Sequence, residues 1–300
     1  MSYSFVSGYV QSNEIIRVIA QVDVLSEMEE PNSSLMKWVA SENHWYAFHL
    51  DWYATRLCVL TDPELQVIAI GPDGKVNVGT IRGELQEHVD GGKNGPVKNG
   101  VIRDMREING IVYAVGMGRQ VYERSKMNNW IHIDKTVLQS PSTKEVTGFN
   151  SIDGIDANNL YAVGMYGEIW HGSPNNWSKS ESPTNVILNK VKVINPKTVF
   201  VCGQKGTLLR GTANNWRVLE QVDLDDELWD IAWFNNELYV SGNESLYKLD
   251  KNGLLIPLDL KLNKEHTYRY LHANEGVLLS TGPKSLILSN DGKIWREITP

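Results

Sequence analysis

Seven histidines, two cysteines, 36 acidic and 29 basic side chains are the groups from which this 300-residue chain could build a reactive centre. His44, His49, His88, His132, His171, His266 and His272 fall in no H-E-x-x-H pattern, and neither a C-x-x-C pair nor a compact Asp/Asn loop accompanies them, so no metal site is expected. There is no G-x-S-x-G elbow and no phosphate-binding loop. Gly116-Met117-Gly118 lies between two strand-like runs instead of ahead of a helix, which argues against a dinucleotide site. Arg56, Arg103, Arg119, Arg210 and Arg269 are scattered over strand-like segments. A glycan-cleaving centre would need such arginines to converge on a Tyr–Glu pair and an acid, and no local motif joins them. The expected catalytic, cofactor and metal residues are therefore none.

Recognition chemistry is better represented. Trp229, Trp233, Tyr268 and Tyr270, with Arg103, stand at the starts of strand-like runs, and Trp, Tyr and Arg are the residue types that anchor protein interfaces. An acidic run holds Glu220, Asp223, Asp225, Asp226, Glu227 and Asp230 with no base among them. Asp223, Asp225 and Asp226 are expected in a solvated loop that steers a protein partner with a basic surface. His44–Tyr53 is unusually aromatic, and two readings stand: a buried inner strand, which is favoured, or a binding patch.

The formal charge of −7 disfavours a broad nucleic-acid surface, which requires clustered Lys and Arg. No apolar run is long enough for a membrane helix, and the first residues lack the pattern of a secretory signal. Cys58 and Cys202 sit in apolar runs and are expected as buried thiols. A cytoplasmic protein without cofactor, nucleic-acid or membrane partner is the expectation.

The elements that must position these residues come from a repeat. VYAVGMGRQVYERSKMNNW at 112–130, LYAVGMYGEIWHGSPNNW at 160–177 and VFVCGQKGTLLRGTANNW at 199–216 match by inspection. Looser copies begin at 67, 238 and 278. Gly71, Gly116, Gly164, Gly203, Gly242 and Gly282 fall into register, each followed by Leu85, Trp130, Trp177, Trp216, Leu255 or Trp295. Short alternating runs punctuated by Gly, Asn, Asp and Pro make each unit four antiparallel strands, which is one propeller blade. One such sheet has apolar surface on both faces, so neighbouring units must stack.

The expected fold is all-β: a propeller of six four-stranded blades over 34–300, with residues 1–33 as an extension that forms an edge strand or a cover. A seven-bladed ring using strands from residues 1–60 is the alternative. Helix should be scarce, with Asp23–Lys37 the one conceivable segment, interrupted by Pro31. The repeated Trp residues should be buried between sheets. The last unit should hold all four of its own strands and pack against the first near Trp45–Leu60, leaving 3–22 outside.

SNDGKIW at 289–295 resembles the Asp box of BNR repeats, lacking one residue between the acid and the glycine. HGSPNNW and RGTANNW are similar to degenerate versions of it. Over roughly 60–299 the glycine and downstream Trp pattern resembles the WD40/YVTN/BNR-like repeat superfamily, which includes propellers of the photosystem II assembly factor Ycf48 type. The resemblance implies the fold. It also implies that the Asp box is a turn that braces a blade, so its presence does not signal sialidase chemistry, and fold alone does not choose a function. The leading expectation is a non-enzymatic protein-binding scaffold of the bacterial cytoplasm, an immunity or assembly factor. The alternative is a sialidase-like glycosidase or a lectin, for which paired carboxylates in a groove would be the sign.

Overall fold

The computed structural model describes residues 2–89, 95–140, 145–243, 245–262 and 264–300. Among them seven antiparallel sheets form, each with four strands hydrogen-bonded in chain order. Numbered along the chain, sheet 1 spans 3–50, sheet 2 56–88, sheet 3 102–132, sheet 4 149–179, sheet 5 188–218, sheet 6 230–257 and sheet 7 270–297. The fold is thus an all-β, seven-bladed β-propeller with four-stranded blades, and the expected count of six is corrected. The additional blade is sheet 1. Residues 3–22, expected as an edge or cover, supply its first two strands, Tyr3–Val10 and Ile15–Val22, which pair with Ser33–Val39 and His44–Leu50.

The reason for the miscount lies in what the repeat encodes. Gly116 ends the second strand of sheet 3 where the chain enters the first, and a β-carbon there would stand 2.9 Å from the Ile102 Cα and closer still to the Val101 carbonyl. Gly164 meets the Gly148 carbonyl in the same way. In sheet 1 the second strand instead runs out through Val22 into the short helix Asp23–Glu27, with no glycine at the crossing. The repeat that betrays the other blades is therefore absent from this one. The helix stops at Glu27 and Ser33–Val39 is strand, so helix does not extend over Asp23–Lys37; Pro96–Asn99 and the 3-10 turn Met165–Gly167 are the remaining helical pieces among the described residues.

The chain divides into two compact units. One comprises 55–219, sheets 2 to 5; the other comprises 1–54 and 220–300, sheets 6, 7 and 1. In the first, successive sheets bury apolar residues between them: Val115, Val121, Ile152, Ala162 and Trp177 fill one such layer, and Val163, Ile169, Val191, Val201 and Trp216 the next. Trp130, Trp177, Trp216 and Trp295 are all buried, as expected from the repeat. Trp130 donates through Nε1 to Glu87 (3.0 Å), the carboxylate that also clamps Arg124 (2.6 Å), and both charged side chains are about 2% exposed. Cys58 and Cys202 are buried free thiols.

In the second unit sheet 7 carries four strands of its own and packs on sheet 1 through Val10, Ile16, Val18, Met36 and Trp38 against Val277, Leu279, Leu286 and Leu288. Phe5 donates its backbone N–H to the Pro283 carbonyl at 2.9 Å, and Trp45 Nε1 reaches the Thr299 carbonyl at 2.9 Å. The contact thus runs through the first three strands of sheet 1, residues 3–22 among them, with Trp45 at its rim. His44–Leu50 is the outermost strand and not a buried inner one: Tyr46 and Phe48 are exposed, while Trp45 is half-buried. Between the last two strands, Asp291 Oδ1 accepts the backbone N–H groups of Lys293 and Ile294 (2.8 Å each), and Ser289 Oγ accepts that of Gly292 (2.9 Å), so the turn braces its blade.

Candidate partner-binding site

The innermost strands of sheets 6 and 7, Asp230–Phe234 and Tyr270–Asn274, lie side by side, and the segments entering them carry most of the expected recognition residues. The backbone N–H of Trp229 bonds the Ser241 carbonyl at 2.8 Å, which fixes its ring at the head of sheet 6. Its indole Nε1 donates to Asn243 Oδ1 at 2.7 Å. Asn243 in turn donates its backbone N–H to Asp226 Oδ1 (3.0 Å), and Tyr247 donates its hydroxyl to Asp226 Oδ2 (2.9 Å). On the sheet 7 side, the Arg269 guanidinium stands 4.3 Å from the centre of the Trp229 ring and 5.8 Å from that of Tyr270. Ser241 Oγ holds the Arg269 backbone carbonyl at 2.8 Å. A continuous chain of contacts therefore runs Asp226–Asn243–Trp229–Arg269–Tyr270.

This assembly unites three residues singled out from sequence, Trp229, Tyr270 and Asp226, but their roles differ. Trp229 and Tyr270 are half-buried and present aromatic surface. Asp226 is buried, and so is Asp230, whose Oδ2 accepts the Leu271 N–H of the next sheet at 3.1 Å. The expectation that 220–230 projects into solvent is corrected for these two. Asp230 satisfies backbone donors of sheets 6 and 7, and Asp226 a backbone N–H and the Tyr247 hydroxyl of sheet 6, a burial that hydrogen bonding makes tolerable. Asp223 and Asp225 are exposed as expected, with Asp223 in a left-handed turn (φ 52°).

Three candidates lie elsewhere. Trp233 is half-buried further along its strand, opposite Leu238. Tyr268 packs on the cluster of Phe234, Tyr239, Leu271 and Trp295, and burial pushes its hydroxyl pKa up, so it belongs to the core. Arg103 is in the other unit, exposed, with Nε 3.3 Å from Asn150 Oδ1. Sequence reasoning missed Arg269 and Asn243 as members of the site. The one available signal was the position of Arg269 between Tyr268 and Tyr270.

The same register position carries a polar staple in several sheets. Asp104 Oδ2 accepts Ile152 N–H (3.3 Å), Ser151 Oγ accepts Val191 N–H (3.4 Å), and Asp230 accepts Leu271 N–H, each acceptor sitting opposite the residue just before the second-strand glycine or its equivalent. In sheets 2 to 5, Asp104 and Asp153, the latter two residues on from Ser151, gather cations. Asp104 is flanked by Arg56 (3.5 Å) and Lys190 (3.3 Å), and Asp153 by Arg106 (2.8 Å) and Lys192 (3.4 Å). Burial works to raise both carboxyls, but the surrounding cations hold them below the ordinary aspartate value. A glycosidase acid needs the opposite shift. Burial, with the charges of Arg106 and Lys190, pulls the Lys192 ammonium down to about 8.

Among the described residues no three His, Cys, Asp or Glu side chains gather as a metal would require, and no helix is long and apolar enough to cross a membrane.

No family model matches the chain. The immune protein Tsi7 of Pseudomonas aeruginosa is 33% identical over 302 residues, covering 99% of this chain and 97% of the relative. Among solved structures, the WD40 β-propeller domain of Doa1 superposes with a TM-score of 0.71 at 11% identity, covering 96% of this chain and 93% of that one. YCF48 bound to D1 peptide gives 0.68 at 12% identity over 100% and 93% of the two chains. At such identities these structures show the fold alone: a β-propeller similar to those of the WD40 domain and YCF48.

Proposed function

Because this chain belongs to the family of the immune protein Tsi7, we propose that it is itself an immunity protein, a non-enzymatic scaffold that protects its cell by binding a protein toxin. The observation that carries the reading is a relationship over 99% of the chain to a relative of that name. A propeller presenting a half-buried Trp–Arg–Tyr cluster is the kind of surface that anchors a protein partner. The exposed Asp223 and Asp225 beside it favour a toxin with a basic surface, since opposite charge accelerates encounter. The site of action would be the cytoplasm. In this reading the Ser289–Trp295 turn is a shortened Asp box of BNR type, kept for bracing and not for glycan chemistry.

Affinity purification of the chain from its native cell at physiological salt should recover one protein in stoichiometric amount. Expressed alone, that protein should arrest growth, and co-expression of this chain should restore it. A recovered partner whose expression is harmless, or whose toxicity the chain leaves untouched, would overturn the proposal.

A further inference from the structure

Arg269 stands apart from the other arginines of the chain. Arg106, Arg119 and Arg124 each clamp a carboxylate at 2.6–2.8 Å. Arg82, Arg210, Arg217 and Arg296 are exposed, so water solvates them. Arg269 has neither arrangement. It is half-buried against the faces of Trp229 and Tyr270, its Nε is shielded from solvent, and among the described residues its guanidinium meets no hydrogen-bond acceptor and no carboxylate. A guanidinium carries five donors in a rigid plane, and removing one from water without an acceptor is costly. Stacking against aromatic faces compensates only in part. What it does achieve is to fix the plane of the fork.

The acceptors best matched to that fork are the two oxygens of a carboxylate, which it binds side by side. Among the described residues, the nearby carboxylates do not supply them. Asp226 is committed to Asn243 and Tyr247, and Asp230 to the backbone of Ile231 and Leu271. We propose that Arg269, planed by Trp229 and Tyr270, is a receptor for one Asp or Glu side chain of the toxin. The toxin epitope would then be bipolar, basic where it faces Asp223 and Asp225 and acidic at its centre. Such an arrangement disfavours a uniformly basic surface, because that surface would leave the half-buried guanidinium without an acceptor. The identity of the carboxylate's owner rests on the immunity reading, but the receptor itself does not.

The test therefore uses acetate as the probe and needs no toxin. The Nε–Hε correlation of Arg269, assigned by its loss in Arg269→Lys, is followed by NMR while sodium acetate replaces sodium chloride at constant ionic strength. The Arg269 proton should move downfield along a saturating curve, while those of the exposed Arg82 and Arg217 drift slightly and linearly. Trp229→Ala, which frees the fork to rotate, should weaken acetate binding roughly tenfold. The titration of the unaltered protein decides the matter even if that variant fails to fold. An Arg269 response no larger than that of Arg82 would overturn the proposal, as would an equal response to chloride and acetate. A saturating response in a protein that protects no cell would keep the receptor and sink the immunity reading instead.

Discussion

Asp223, Asp225 and Asp226 stand within four residues of one another and do different work. The first two are exposed and lack a structural task in the fold. Replacing both with Asn should leave stability within about 0.5 kcal/mol, as is usual for exposed sites. The same double variant should slow association with the toxin more than it speeds dissociation, and the difference should shrink as salt screens the field. Stopped-flow association at two ionic strengths measures this. Asp226→Ala should behave otherwise, because it removes the acceptor of the Asn243 N–H and strands the buried Tyr247 hydroxyl, at a cost of about 2 kcal/mol in denaturant unfolding. Sequence alone did not separate these residues. A run of acids reads as a solvated loop, and nothing in its spacing marks the one side chain that turns inward to serve a backbone donor. Arg269 was hidden for the same reason, since Trp229, the ring it lies closer to, stands about 40 residues earlier in the chain.

At the scale of the element, most of the blade is written locally. The glycine at the end of the second strand reports a backbone crossing, and the Trp on the fourth reports the space between sheets. Both survive in sheets 3, 4 and 5, which is why those units align by inspection. Sheet 1 keeps the Trp, as Trp45 opposite Trp38, but lacks the glycine that puts the other copies in register, so its apolar strands Ile15–Val22 and Ser33–Val39 read as extra material until their pairing is seen. Junctions between elements are the less legible part, and the Glu87 hub is one of them. It takes the Arg124 guanidinium, the Asn128 N–H and the Trp130 indole in a buried space. Burial acts to raise its pKa, but these donors together hold it below the ordinary glutamate value. The folded carboxyl is thus the stronger acid, so its contribution is complete above the unfolded value near 4.5 and is lost as pH falls through the folded one. Glu87→Gln leaves Arg124 buried without its counter-charge and should cost about 3 kcal/mol at neutral pH. The gap between the two proteins should narrow steadily below pH ~4, as chemical denaturation across that range would show. A gap that stays constant would mean that Glu87 titrates alike in the folded and unfolded states, and would contradict the lowered folded value.

At the scale of the whole molecule, the heads of sheets 6 and 7, within one compact unit, bring loops from successive sheets together, and the immunity reading needs such a face more than it needs any reactive group. The general architecture was legible because a repeat multiplies a weak local signal. The partner was not, because a binding face is assembled from residues with no fixed spacing: Asp226, Asn243 and Arg269 come from three separate segments. The central claim is that a toxin is held on the face formed by the heads of sheets 6 and 7. Amide hydrogen exchange of the chain, alone and saturated with the protein recovered from its native cell, tests this most directly. The account predicts slowed exchange on binding across 220–230, 241–243 and 268–270, with the outermost strand His44–Leu50 unchanged. Protection confined to other segments, with those three exchanging at their free rates, would contradict it.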